Sequence, residues 1–170
     1  TYIGSELTWP IYWHATLGKA KEDLDRAAGA ITLQLGDIGG RAHVAVLKAV
    51  VTQASAAIPV VPLYTAVLFE VMKRQGSHEV CIDHIYRLFG AALYGGSPAI
   101  DEAGRVRLDG RELAAEVQDE VRRRWLLVST ENLGELADLE GFRADFLRLF
   151  GFGIEGVDYE EDLDPELSEL

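Results

Sequence analysis

The sequence predicts a helix-dominated α/β fold around one central strand, and three observations carry that expectation. Apolar residues recur at helical spacing along most of the chain; Ala42 to Val51, AHVAVLKAVV, is β-branched and apolar on both faces; and no second run of that kind appears. A strand covered on both faces belongs inside a parallel sheet and needs neighbours on both edges. Few candidates exist within the 170 residues, so its partner strands are expected outside them.

The elements follow from the amino terminus onward. Leu17, Ala20, Leu24, Ala27, Ala28, Ile31 and Leu35 lie on one helical stripe, with Lys19, Glu22, Asp23, Asp25 and Arg26 filling most of the other face. This helix is predicted to end near Gly36, where GDIGG forms a turn before the strand. After the strand, TQASAAIPVVP leads into helices at Leu63 to Lys73 and His78 to Leu93. Ile100 to Gly110 reads as a short hairpin around Ala103-Gly104, with Val106 and Leu108 alternating. Further helices are expected at Arg111 to Leu126, at Thr130 to Leu136 with Thr130 as N-cap, and at Phe142 to Phe150.

Composition excludes several function classes. A net charge of -12 without a basic stripe argues against nucleic acid, whose phosphates need a cationic face. Half of the residues from Glu155 to Leu170 are acidic and none is basic, which predicts a solvated tail. The single cysteine, Cys81, rules out an internal disulfide, suits a reducing cytoplasm, and reads as a small buried hydrophobe between Val80 and Ile82. No apolar run reaches the roughly 18 residues of a membrane-spanning helix. The chain opens at Thr1 without Met, and it is read as trimmed or cut from something longer.

Few residues offer chemistry. Tyr12 and Lys21 stand nine positions apart in PIYWHATLGKAK, with eight residues between them, a spacing that suits a reductase pairing a phenol proton donor with an ammonium. The cation would lower the phenol's pKa and could also bond a cofactor ribose, although an interfacial tyrosine and a solvated lysine account for the same residues. Thr52 follows the strand, where open α/β sheets place ligands; its hydroxyl, with Ser55 nearby, suits a cofactor contact or a helix cap. His14, His43, His78 and His84 have no metal-ligand spacing, so no metal is expected, and His78 reads as a helix-start residue. Trp9, Tyr12 and Trp13 suit a core or pocket wall, and Phe142, Phe146, Phe150 and Phe152 suit core packing. No glycine-rich phosphate fingerprint follows the strand.

The wording and order of the segments say more than any one of them. YIGSELTWPIYWHATLGKAKEDLDRAA, VLKAVVTQASAAIPVVPLY, VMKRQGSHEVCIDHIYRLF, DEAGRVRLDGREL and VSTENLGELADLEGFRADFLRLFGFGIEGVDYEEDLDP closely resemble the C-terminal half of one family, the single-chain bacterial trans-2-enoyl-CoA and enoyl-acyl-carrier-protein reductases of FabV type. The resemblance implies the C-terminal part of a Rossmann-type, short-chain-dehydrogenase-like domain with an enlarged helical substrate lobe. It divides the chain into a catalytic segment at 1–61, a helical lobe at 62–154 and an acidic tail at 155–170, and it places the NADH-binding half outside the chain.

By that resemblance Tyr12 and Lys21 are the catalytic pair, Tyr2 is a substrate-binding tyrosine, and Lys21 and Thr52 contact the cofactor. The implied reaction is NADH-dependent reduction of the trans-2 double bond of enoyl-CoA or enoyl-acyl-carrier-protein thioesters in fatty acid biosynthesis. Ile58 to Met72 would line the acyl channel. Family descriptions attach a flavin label to the C-terminal region, yet no residue pattern here asks for FAD. A cytoplasmic monomer is expected. A non-catalytic acyl-thioester or partner-binding helical module and a short-chain carbonyl reductase remain as alternatives, and the chain alone is expected to be poorly stable and inactive, its strand lacking neighbours.

Overall fold

A computed structural model describes residues 1–95 and 100–162. Helices dominate, and a two-stranded parallel sheet sits among them. The acidic tail is exposed from residue 155 to 162; the expectation for 163–170 lies outside the described residues.

The first fifteen residues form a chain of turns that leads into α1 (Thr16–Gln34), which closes through a short 3-10 turn at Gly36–Ile38. Along α1 only Gly18 is buried; the apolar stripe predicted from sequence is present but uncovered, with Leu24 and Ile31 exposed.

The predicted strand is much shorter than its sequence suggested. Only β1 (Ala45–Val46) is paired as strand, because β2 (Val106–Arg107) is equally short and offers no further ladder. The expectation that every partner lies elsewhere is also corrected. One edge of β1 pairs in parallel with β2. On the other, the Thr1 amino group donates to the Ala45 carbonyl at 2.7 Å and the Leu47 N–H donates to the Thr1 carbonyl at 2.7 Å. One face of β1, with Val44, Val46 and Lys48, is buried, whereas Ala45 and Leu47 on the other are half-buried. The predicted hairpin is present in minimal form: Ile100 bridges Val106 in antiparallel fashion, and its last residues then become β2.

After β1 the chain caps α2 (Gln53–Ala57) and enters α3 (Val61–Arg74), the buried centre of the molecule. Tyr64, Ala66, Val67, Leu68, Val71 and Met72 of α3 pack against Val117 and Val121 of α5 (Ala115–Trp125), with Phe142 of α7 (Leu139–Arg148) against the same cluster. Each large apolar side chain buried there contributes about 1.5–3 kcal/mol. Val60, which caps α3, has φ 70°, an unusual backbone position for a β-branched residue.

Several local expectations shift. The helix expected from His78 begins as α4 (Cys81–Arg87) and runs on through a π-helical turn, Leu88–Leu93. His78 instead sets its ring against Phe69, the centroids 4.5 Å apart. Cys81 is exposed, because it occupies the solvent side of the first turn of α4. Asn132, not Thr130, precedes α6 (Leu133–Leu136), its side chain accepting from the Ser129 N–H at 2.7 Å, and the Asp138 carboxylate caps α7 by accepting from the Gly141 N–H at 2.9 Å. Phe142 packs on the core, but Phe150 and Phe152 are 50% and 54% exposed, since the chain leaves α7 at Arg148 and turns away from α3.

Candidate active site

The turn segment before α1 fixes Tyr12 by its backbone. Tyr12 N–H donates to the Thr8 carbonyl at 2.9 Å, and the Tyr12 carbonyl accepts from the Gly18 N–H at 3.1 Å. Gly18 has to be glycine for this, because a Cβ there would overlap the carbonyl oxygen of Trp13. Tyr12 is thus clamped to the start of α1, from which Lys21 projects, which is how residues nine positions apart reach one site without sharing a helix face.

That site is a cavity of about 260 Å³ at the end of β1, lined by Tyr2, Tyr12, Lys21, Thr52 and Ser55 among others. All four residues singled out from sequence, Tyr2, Tyr12, Lys21 and Thr52, therefore meet at one place. The expected channel wall is only partly there: Ile58, Val61 and Thr65 line the cavity, whereas Leu68 and Met72 point into the core.

The chemistry of each side chain differs. Tyr12 is 6% exposed, and its hydroxyl makes no hydrogen bond among the described residues. Burial raises its pKa, contrary to the lowering expected from a neighbouring cation, because the phenolate would have to leave water. Tyr12 is consequently a neutral phenol with a proton to give. Its ring meets that of Tyr2 edge-on, centroids 5.3 Å apart. Tyr2 is different, since its hydroxyl donates to Glu112 Oε1 at 2.9 Å, and burial followed by the Glu112 charge pushes its pKa well up. Lys21 is half-buried and forms no ion pair among the described residues. The Thr52 hydroxyl accepts from the Ser55 N–H at 3.0 Å, and the Ser55 hydroxyl accepts from the Thr52 N–H at 2.9 Å, so Thr52 caps α2 while lining the cavity.

Beside the cavity, the buried charged residues Lys48 and Glu112 were not anticipated. Lys48 is 0% exposed; its ammonium donates to the Ala49 carbonyl at 2.9 Å and stands 4.9 Å from the centroid of the Phe69 ring, and burial lowers its pKa. Glu112 is also 0% exposed and receives hydrogen bonds from Tyr2, Tyr64 and the Ala49 N–H. The only sequence signal for Lys48 was a lysine inside an otherwise apolar strand. For Glu112 there was none. Among the described residues no three His, Cys, Asp or Glu side chains gather to hold a metal.

Two family profiles match the chain. One, described as "Trans-2-enoyl-CoA reductase catalytic region", covers residues 1–94, and the other, described as "Enoyl reductase FAD binding domain", covers residues 100–163. The enoyl-[acyl-carrier-protein] reductase [NADH] of Saccharophagus degradans is 56% identical over 168 residues, 99% of this chain and 42% of that protein. The FabV-named counterpart from Aeromonas salmonicida is 56% identical over 167 residues, 98% of this chain and 42% of that protein. Among solved structures, Clostridium acetobutulicum trans-2-enoyl-CoA reductase in complex with NADH superposes with a TM-score of 0.92 at 48% identity, over 96% of this chain and 42% of that one. The Treponema denticola enzyme in complex with NAD gives 0.85 at 44% identity, over 96% and 41%. The chain thus spans about 42% of the length of the curated relatives cited here.

The residues under the second profile do not fit a flavin dinucleotide. β2 runs into the 3-10 turn at Asp109–Arg111 instead of a glycine-rich phosphate loop. A groove of about 570 Å³ beside α5 has arginine walls, but Glu120 holds Arg123 and Arg124, Glu70 holds Arg74, and no aromatic ring lines it. The cavity at the end of β1 gathers groups suited to a nicotinamide cofactor: an amine at Lys21 without an ion pair among the described residues, hydroxyls at Thr52 and Ser55, and apolar cover from Val50, Ile58 and Val61. The matching catalytic-region profile and the relatives above 50% identity assign the chain to the trans-2-enoyl-CoA and enoyl-acyl-carrier-protein reductase family.

Proposed function

We propose that this chain carries the proton-donating part of an NADH-dependent reductase of trans-2-enoyl thioesters, on CoA or acyl carrier protein, in fatty acid biosynthesis. One observation supports the reading above the rest: a buried, neutral Tyr12 hydroxyl without a hydrogen-bond partner among the described residues borders a cavity that it shares with Lys21. NADH, when bound, supplies the hydride that adds to the β-carbon of the enoyl thioester. Tyr12 donates a hydrogen bond to the enolate oxygen as charge develops there, a stabilisation that a buried site makes stronger. Lys21 binds the cofactor ribose and orients Tyr12, Thr52 contributes a cofactor contact from the cap of α2, and Tyr2 packs against the thioester end. Ile58, Val61 and Thr65 form the wall nearest the acyl chain.

The wider arrangement belongs to the same reading. Residues 1–61 form part of a Rossmann-type, short-chain-dehydrogenase-like core, 62–154 a helical substrate lobe, and 155–170 a segment of acidic composition. The parallel contacts on both edges of β1 support this, because such a sheet extends in both directions. A cytoplasmic monomer is proposed; among the described residues no helix is long and apolar enough to cross a membrane.

The test uses a protein of the relatives' full length that contains this chain. With crotonyl-CoA it is expected to oxidise NADH, and Tyr12→Phe is expected to lower turnover about tenfold to a thousandfold, as for loss of an oxyanion donor. Binding of the thioester without turnover would replace the reductase by a non-catalytic acyl-binding module, and reduction of a ketone alone would point to a carbonyl reductase.

A further inference from the structure

Glu112 follows the Asp109–Arg111 turn, and its side chain reaches back to the end of β1 and to the first residues of the chain. Its Oε1 accepts from the Tyr2 hydroxyl at 2.9 Å and from the Tyr64 hydroxyl at 2.8 Å; its Oε2 accepts from the Ala49 N–H at 2.5 Å. Behind it, the Gln118 amide donates to the Glu112 carbonyl at 2.7 Å and to the Tyr64 hydroxyl at 3.2 Å, while the Ser5 hydroxyl donates to Gln118 Oε1 at 2.6 Å. This is a connected polar network around a carboxylate with 0% exposure. Burial raises the Glu112 pKa, while the Ala49 N–H, the two phenols and the Lys48 charge all favour its ionised form. As a carboxylate it accepts hydrogen bonds and donates none, so both phenols spend their single proton on it.

The two tyrosines of the cavity therefore differ in what they have left. Tyr2 has its proton committed to Glu112 and keeps only lone pairs for anything in the cavity. Tyr12, edge-on to Tyr2, has its proton free. On the proposed reductase function, we propose that Glu112 is a positioning residue: it holds Tyr2 as a hydrogen-bond acceptor and locks it against Tyr12, so that Tyr12 alone is the proton donor. The same carboxylate grips the Ala49 N–H, and thereby joins a residue of the 100–163 region to the cavity formed by the catalytic region. A neutral amide at position 112 cannot do both, since glutamine puts an NH2 donor where one carboxylate oxygen stood, facing either the Ala49 N–H or the two phenols, and so loses one side of the arrangement.

A double-mutant cycle in the full-length protein tests it, with Tyr2→Phe, Glu112→Gln and both together, each checked for cooperative thermal unfolding. With crotonyl-CoA, Glu112→Gln is expected to lower kcat about tenfold to a hundredfold, the cost of a slightly misplaced reacting group, with KM for NADH within about twofold of wild type. Because Glu112 acts through Tyr2, the double variant is expected to be no slower than the worse single variant. A wild-type kcat in Glu112→Gln overturns the inference, as does a double-variant loss equal to the product of the single losses. Should Glu112→Gln not unfold cooperatively, Glu112→Asp, which keeps the charge but withdraws it, enters the same cycle with the same expected coupling. A wild-type protein inert towards NADH and crotonyl-CoA overturns the reductase reading and this inference with it; an active wild type with independent losses overturns this inference alone.

Discussion

A side chain at Gly18 would collide with the Trp13 carbonyl, and the Gly18 N–H itself donates to the Tyr12 carbonyl at 3.1 Å. The smallest residue of PIYWHATLGKAK thus sets the distance between the two most reactive ones. Gly18→Ala is expected to destabilise the protein by about 1–3 kcal/mol, the usual cost of forcing atoms into a packed site. Turnover should fall with it, because Tyr12 must shift to make room. Denaturant unfolding together with kcat would check both, and an alanine variant with wild-type values would show that the clamp is slack. At this scale Tyr12, Lys21 and Thr52 drew notice by their spacing or their place at a strand end and Tyr2 by the family resemblance, and the structure brings all four to one cavity. Glu112 was not: it is 110 residues from Tyr2, and a lone glutamate reads as solvated until something shows three donors around it. Lys48 hid for a related reason, as the rule that lysines are exposed fails where an aromatic face and a carbonyl replace water.

Among the elements, helices were read well and their ends less so. The stripe from Leu17 to Leu35 gave α1 within a residue at each end, because periodicity over five turns is hard to mistake. Caps depend on single hydrogen bonds, which is why Asp138 displaced Phe142 as the start of α7, whereas α6 starts after Asn132, not at Thr130, and has no side-chain cap bond. β1 was overextended for a different reason: AHVAVLKAVV has strand composition throughout, yet a ladder lasts only as long as its partner, and β2 is two residues long. Thr52 shows how one residue can satisfy two readings. Its hydroxyl caps α2 through Ser55 and also borders the cavity. Thr52→Ala is expected to cost about 0.5–2 kcal/mol through the lost cap. If the hydroxyl also touches the cofactor, KM for NADH rises in the alanine variant, while Thr52→Ser, which keeps the oxygen, restores both values. An unchanged unfolding midpoint in Thr52→Ala would remove the cap from the account.

For the molecule as a whole, the orphan strand was the right clue with an incomplete answer. The sheet does close partly within the chain, through β2 and Thr1, so β1 is not left with two bare edges. What remains open is apolar surface. Leu24 and Ile31 of α1 are exposed, and Leu147, Leu149, Phe150, Phe152, Ile154 and Val157 form a run of partly exposed apolar side chains from the last turn of α7 onward. Contiguous apolar surface of this kind marks a contact face more often than a solvated one. Periodicity predicts which residues share the face of α1 but not what covers it, because cover comes from residues distant in sequence. The 170-residue chain alone is therefore expected to bind a hydrophobic dye such as ANS strongly and to self-associate as its concentration rises. In a protein of the relatives' full length, the same faces are expected to be covered, with dye fluorescence falling several-fold and unfolding becoming more cooperative. Weak dye binding by the 170-residue chain, together with one sharp unfolding transition, would show instead that these side chains pack adequately by themselves and that α1 needs no partner.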